Sequence, residues 1–182
     1  GKSLEEVAAI RGTPIRNTVL NLIEDDDSRI SCVFFTMSED NIKKKIVQPW
    51  MSFCSDAASM ASEGNFLKRS THPRAYGSFA RVLGKYTREE QLIPIEEAIR
   101  RLSSFPAENL MISDRGWLKE GYYADIVIFD PEKITDHATF SDPHQYASGM
   151  LHVFVNGIQV LKDGEHTGAF PGQVVRGPGI EH

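Results

Sequence analysis

Gly121-Tyr122-Tyr123-Ala124-Asp125-Ile126-Val127-Ile128-Phe129-Asp130-Pro131 is the stretch on which the fold turns. Its centre is a short, continuous apolar run closed on both sides by turn-forming residues, which predicts a strand covered on both faces. Further on, Val153-Phe154-Val155-Asn156-Gly157-Ile158-Gln159-Val160-Leu161 sets Asn-Gly between two strand-like runs. Only residues that accept positive φ fit a type I′ turn, so this pair predicts a two-residue hairpin. The tail from about Arg115 therefore reads as β-rich, with Pro171-Gly172 and Gly177-Pro178-Gly179 as closing turns.

Upstream the pattern changes to helices alternating with short strands. Ser3-Leu4-Glu5-Glu6 fits a capping box, Leu4, Val7 and Ala8 supply a stripe, and Gly12 ends the helix. Thr13-Pro14 opens a second helix carrying Ile15, Val19, Leu20, Leu22 and Ile23. Cys32-Val33-Phe34-Phe35 and Met51-Ser52-Phe53-Cys54 read as strands, with a helix capped by Ser38 between them. Such alternation is the rhythm of parallel α/β structure, here too short to close a barrel, which takes ~250 residues. Residues 57–87 show little periodicity and read as a long loop of the functional kind. Periodicity returns in Pro94–Leu102, where Ile95, Ala98, Ile99 and Leu102 follow helical spacing, and Pro106 begins a shorter helical turn.

Composition excludes several classes. The chain has 182 residues, is 41% hydrophobic and 25% charged, and carries a formal net charge of −5. No basic stripe offsets that balance, so nucleic acid is not expected as a partner. Lys43-Lys44-Lys45 reads as the wet face of a helix. No apolar stretch approaches the ~20 residues that cross a bilayer, and no leader opens the chain, so a cytoplasmic setting is the expectation. Cys32 and Cys54 read as buried small hydrophobes rather than a disulfide.

Two residues stand out as chemistry. Asp56 follows a strand end, where a carboxylate can take a proton from water and pass it to a leaving amine; aspartate also commonly caps a turn. Arg74, in Thr71-His72-Pro73-Arg74-Ala75-Tyr76-Gly77-Ser78-Phe79, offers a planar fork that grips a carboxylate, or it pairs with a nearby acid. The histidines His72, His137, His144, His152, His166 and His182 form no close-spaced ligand pair. There is no phosphate loop and no nucleophile elbow.

Taken in order, several motifs resemble the D-aminoacylases, the N-acyl-D-amino-acid deacylases of the amidohydrolase superfamily. They are Ser55-Asp56, His72-Pro73-Arg74 with Tyr76-Gly77, Glu97-Ala98-Ile99-Arg100, Pro106-Ala107-Glu108 and Asp114-Arg115-Gly116. Tyr123–Pro131, His152-Val153 with Val155-Asn156-Gly157, and Asp163–Gly168 continue the series. The resemblance implies an α/β fold: the C-terminal part of a (β/α)8 metal-dependent hydrolase barrel over 1–112, with an active-site loop at 57–87. Strands of a small β-sandwich and a C-terminal tail would follow over 113–182.

It also implies zinc-dependent hydrolysis of N-acyl-D-amino acids, with Asp56 as the catalytic carboxylate and Arg74 holding the substrate's α-carboxylate. The family's metal ligands precede the matching region, so no metal ligand is assigned here, and these residues alone are expected to hold no zinc and to be inactive. Ala57 replaces the family's usual glycine after the aspartate, and the connection from Asp56 to Arg74 is longer than in characterised members. Two alternatives stay open: a cyclic amide hydrolase of the dihydroorotase or hydantoinase kind, and a non-catalytic module that self-associates through exposed strand edges.

Overall fold

A computed structural model describes residues 1–27 and 30–178. Helices occupy the first two thirds and a small antiparallel sheet the last part. The Gly179 end of the final turn and His182 lie outside the described residues.

Helix α1 (Leu4–Arg11) starts at the expected box, with Ser3 Oγ accepting from Glu6 N–H and Glu6 accepting from Ser3 N–H. Gly12 ends it at φ 65°, the left-handed conformation that glycine adopts without a Cβ penalty. Helix α2 (Ile15–Asp26) begins one residue after Pro14. Helix α3 (Glu39–Ile46) is capped by Ser38, whose Oγ accepts from Asn41 N–H at 3.3 Å.

The largest departure from the sequence reading lies inside 57–87. A 3-10 turn covers Gly64–Lys68, and α4 (Arg74–Arg81) runs on into a π-helical stretch, Val82–Glu89. The face that seats this helix combines apolar residues, Ala80, Val82, Leu83 and Tyr86, with glycines and arginines that interrupt the apolar stripe. A Cβ on Gly77 would stand 2.8 Å from Asp136 Cβ, and one on Gly84 2.5 Å from the Ile134 carbonyl oxygen. Arg81 pairs with Asp136 at 2.9 Å, and Arg88 donates to the carbonyls of Pro131 and Ile134 at 3.0 and 2.7 Å. Ile134, almost fully buried, closes the core formed by Ile46, Ala80, Val82, Leu83, Tyr86, Ile93 and Ala98.

Helix α5 (Ile95–Leu102) follows the expected spacing, and α6 (Ser104–Asn109) begins two residues before Pro106. Strands β1 (Ile126–Phe129), β2 (Met150–Val155), β3 (Ile158–Lys162) and β4 (Glu165–His166) form one antiparallel meander. Asn156 and Gly157, at φ 51° and 81°, make the expected hairpin turn between β2 and β3. Asp163 and Gly164, at φ 52° and 85°, repeat the device between β3 and β4. The quoted motifs meet here: Arg115 ion-pairs with Asp125 and donates to Asn156 Oδ1 at 2.6 Å, while Asp125 accepts from Asn156 N–H at 2.8 Å.

Three expectations are corrected. Strand β1 is not covered on both faces, since Val127 and Ile128 are exposed. Residues 32–35 and 51–54 enter no ladder among the described residues, because a strand exists only through a hydrogen-bonded neighbour and none lies beside them. Cys32 and Cys54 are free and exposed rather than buried.

Candidate active site

Two independent clamps carry Asp56 and Arg74 toward each other. The first begins at the C-terminus of α3, where helix carbonyls lack internal partners. Arg101, only 2% exposed, donates to the carbonyls of Ile46 and Gln48 at 2.6 and 2.7 Å, and Arg100 donates to that of Pro49 at 3.2 Å. Glu97 receives both guanidiniums, at 2.6 Å from Arg101 and 2.7 Å from Arg100. Those charge-assisted hydrogen bonds pull its carboxyl down from 4.5 to about 2.

From this anchor the chain runs through Met51–Ala58 outside any helix or ladder, and its burial alternates residue by residue. Met51, Phe53, Ser55 and Ala57 are half-buried, whereas Ser52, Cys54, Asp56 and Ala58 are exposed. Met51 and Phe53 pack on the core, while Asp56 points into solvent. Cys54 Sγ accepts from Asp56 N–H at 3.4 Å, and Asp56 adopts φ 48°.

The second clamp is the glycine and arginine face of α4 and its π-helical continuation, which fixes the helix whose first residue is Arg74. His72 Nδ1 accepts from Arg74 N–H at 3.0 Å, satisfying a backbone donor that the helix leaves open. Burial, and then the Arg74 cation, hold the His72 ring below its ordinary value of 6.5, which favours the neutral form with a lone pair on Nδ1.

Arg74 Nη2 and Asp56 Oδ2 meet at 3.0 Å, with the side chains 44% and 83% exposed. Both candidate residues thus share one site. An ion pair this open to water adds little stability. A ligand carboxylate can take over the Arg74 fork at small cost to the fold.

The connection between them is held from outside by residues that motif reading does not single out. His144 Nε2 lies 2.9 Å from the Arg69 carbonyl, and the Tyr146 hydroxyl accepts from Ser62 N–H at 3.0 Å. His144 and Tyr146 lie beyond the helical region and form no motif with the segment they hold, so no sequence signal marks them. The other described histidines serve local structure: His137 bonds Ser148 Oγ at 2.8 Å, His152 faces Gln159 at 3.3 Å, and His166 accepts from Gly168 N–H at 3.0 Å.

Among the described residues no three His, Cys, Asp or Glu side chains converge as a metal cage. A four-coordinate zinc needs more donors than Asp56 offers, so the residues present do not by themselves fit the metal.

Residues 68–161, just over half the chain, match the family model described as "Amidohydrolase family". The chain belongs to the amidohydrolase family. This amidohydrolase chain is 34% identical over 96% of its length to the D-aminoacylase of Alcaligenes xylosoxydans xylosoxydans, covering 34% of that protein. It is 37% identical over 83% of its length to the N-acyl-D-aspartate deacylase of the same organism, covering 30% of that protein. Among solved structures it is similar to N-acyl-D-glutamate deacylase from Bordetella bronchiseptica, complexed with zinc and a phosphonate mimic of the tetrahedral intermediate. There the TM-score is 0.76 at 33% identity, over 97% of this chain and 34% of the other. The chain thus spans about a third of the length of the curated relatives it matches.

Proposed function

We propose that the whole protein hydrolyses N-acyl-D-amino acids to a carboxylate and a D-amino acid, and that this chain supplies its proton carrier, Asp56, and its carboxylate anchor, Arg74. The observation that carries the reading is the open Asp56–Arg74 pair at 3.0 Å. The names of the relatives, all deacylases of N-acyl-D-amino acids, support the substrate class.

In this reading the substrate's α-carboxylate takes the Arg74 fork through two parallel hydrogen bonds and releases Asp56 from its ion pair. Asp56 then accepts a proton from the water whose oxygen bonds to the acyl carbon. As the carbon–nitrogen bond breaks, Asp56 returns that proton to the leaving amine. Zinc, which polarises such reactions when bound, would be held by residues outside this chain. The 182 residues alone are accordingly inactive, and residues 1–112 are the last part of a (β/α)8 barrel.

The test is an assay of the full-length protein with zinc on N-acetyl-D-methionine and on a hydantoin. The expected result is turnover of the acyl amino acid, which carries the free carboxylate that Arg74 needs. Turnover of the ring alone would establish a cyclic amide hydrolase instead.

A further inference from the structure

The connection from Ala57 to Pro73 has a single 3-10 turn and otherwise no regular structure, yet it lies between the two residues of the candidate site. Three backbone points tie it down, each through an aromatic side chain. The Tyr76 hydroxyl donates to the Ala61 carbonyl at 2.8 Å, the Tyr146 hydroxyl accepts from Ser62 N–H at 3.0 Å, and His144 Nε2 stands 2.9 Å from the Arg69 carbonyl. Tyr76 Oη and His144 Nδ1 join two of these ties at 3.1 Å. Both neighbouring rings meet Tyr76 edge-on, His144 at 5.7 Å and 72°, Tyr146 at 5.7 Å and 70°. A fourth contact, His72 edge-on to Phe140 at 5.0 Å, fastens the end of the connection next to Arg74.

Carbonyl oxygens only accept, so His144 must present Nε2–H to Arg69. Burial holds the Tyr76 hydroxyl in its protonated, donating form. With its proton on Nε2 the His144 ring accepts at Nδ1, so the one Tyr76 hydroxyl hydrogen is shared between that nitrogen and the Ala61 carbonyl, and the chain Ala61–Tyr76–His144–Arg69 spans the connection from its early to its late part. Tyr76 belongs to α4, two residues after Arg74, and His144 to the segment leading into the sheet. Their hydrogen bonds end on loop backbone, so their effect on a bound molecule passes through loop position.

We infer that Tyr76 and His144, with Tyr146, are positioning residues that hold the 57–73 connection as a fixed wall beside the Asp56–Arg74 pair. They act on substrate binding rather than on bond cleavage. This rests on the deacylase reading for its substrate, while the anchoring itself does not.

The experiment compares Y76F, H144A and H144Q with the wild type in the full-length protein. Trypsin cleavage after the exposed Lys68 and Arg69 under native conditions reads the wall directly. Steady-state kinetics on N-acetyl-D-methionine read its consequence. Y76F loses both hydroxyl bonds, and the expected result is about tenfold faster cleavage and about tenfold higher KM, with kcat within about twofold of wild type. H144Q keeps an N–H for Arg69 and should fall between wild type and H144A in both readouts. Unchanged cleavage in Y76F and H144A would overturn the anchor. Faster cleavage with an unchanged KM, or a loss confined to kcat, would overturn the positioning role. A wild type that fails to deacylate while the variants still loosen the loop would count against the reaction and leave the anchor standing.

Discussion

Arg74 is useful at this site because its guanidinium is planar. A lysine in its place keeps the charge and could still reach Asp56, but it cannot present two parallel donors to one carboxylate. R74K in the full-length protein should therefore raise KM for N-acetyl-D-methionine by about tenfold or more, the loss of one charge-assisted hydrogen bond, with kcat much less affected. D56N should do the reverse, lowering kcat by roughly 10²–10⁴ with KM little changed, because the proton carrier is gone. Steady-state kinetics on the two variants separate the roles; matching losses in both constants would sink the division of labour. His72 adds a pH dependence. Its folded-state value lies below 6.5, so the folded protein binds fewer protons than the unfolded chain in that region. The stability it contributes is complete above about 6.5 and is lost as pH falls through the lowered value. Amide exchange at Arg74 and Ala75 should accelerate on that acidification in the wild type and already be fast in H72A at neutral pH.

Arginines add polar fastenings to the apolar core that joins these elements. The α3 terminus, the 51–58 run and α5 are joined through Arg101, whose burial makes its hydrogen bonds expensive to lose. R101M removes the partner of two helix-end carbonyls and of Glu97, and should cost about 3 kcal/mol in urea unfolding. Glu97 ionises well below an ordinary carboxyl, at about 2 instead of 4.5. Its contribution is full above about 4.5 and drains away as pH falls toward 2. An E97Q variant should show a flatter loss of unfolding midpoint over that range than the wild type. An equal slope in both would mean the pairing contributes nothing. The α4 seam shows how glycine and arginine interrupt an apolar stripe. Gly77 and Gly84 are needed where the helix backbone meets Asp136 and Ile134, and Arg81 and Arg88 supply the grip. None of these four residues is apolar in the sense that a hydrophobic stripe requires.

At the scale of the whole molecule the notable feature is how much apolar surface stays open. Phe34, Phe35, Trp50, Leu118 and Phe170 are each more than 70% exposed, and α1 and α2 leave Ile10, Leu20 and Ile23 in water. Apolar side chains left in water in this number favour burial against a second copy. The 182-residue chain by itself should therefore self-associate, with a sedimentation coefficient that rises with concentration. A single monomeric boundary over a hundredfold range would refute this. Zinc titration of the same chain should show no tight stoichiometric uptake, in keeping with the absence of a donor cluster among the described residues. No helix among them is long and apolar enough to cross a membrane.

Local chemistry alone determined the Ser3 capping box, the Gly12 stop, the Ser38 cap and the Asn156-Gly157 hairpin, because each depends on the conformations and hydrogen bonds of a few adjacent residues. The Asp163-Gly164 turn has the same positive-φ chemistry. The motif series likewise marks the family, because it rests on residue identity and order alone. Tertiary structure alone decided that Cys54 faces outward beneath Asp56, that residues 32–35 and 51–54 stand without a ladder, and that His144 and Tyr146 grip a loop remote from them in sequence. It also decided that Asp56 and Arg74 touch. Burial, ladder pairing and ion pairing across a loop are set by which distant segments fold against each other, and neither residue type nor spacing encodes that partner.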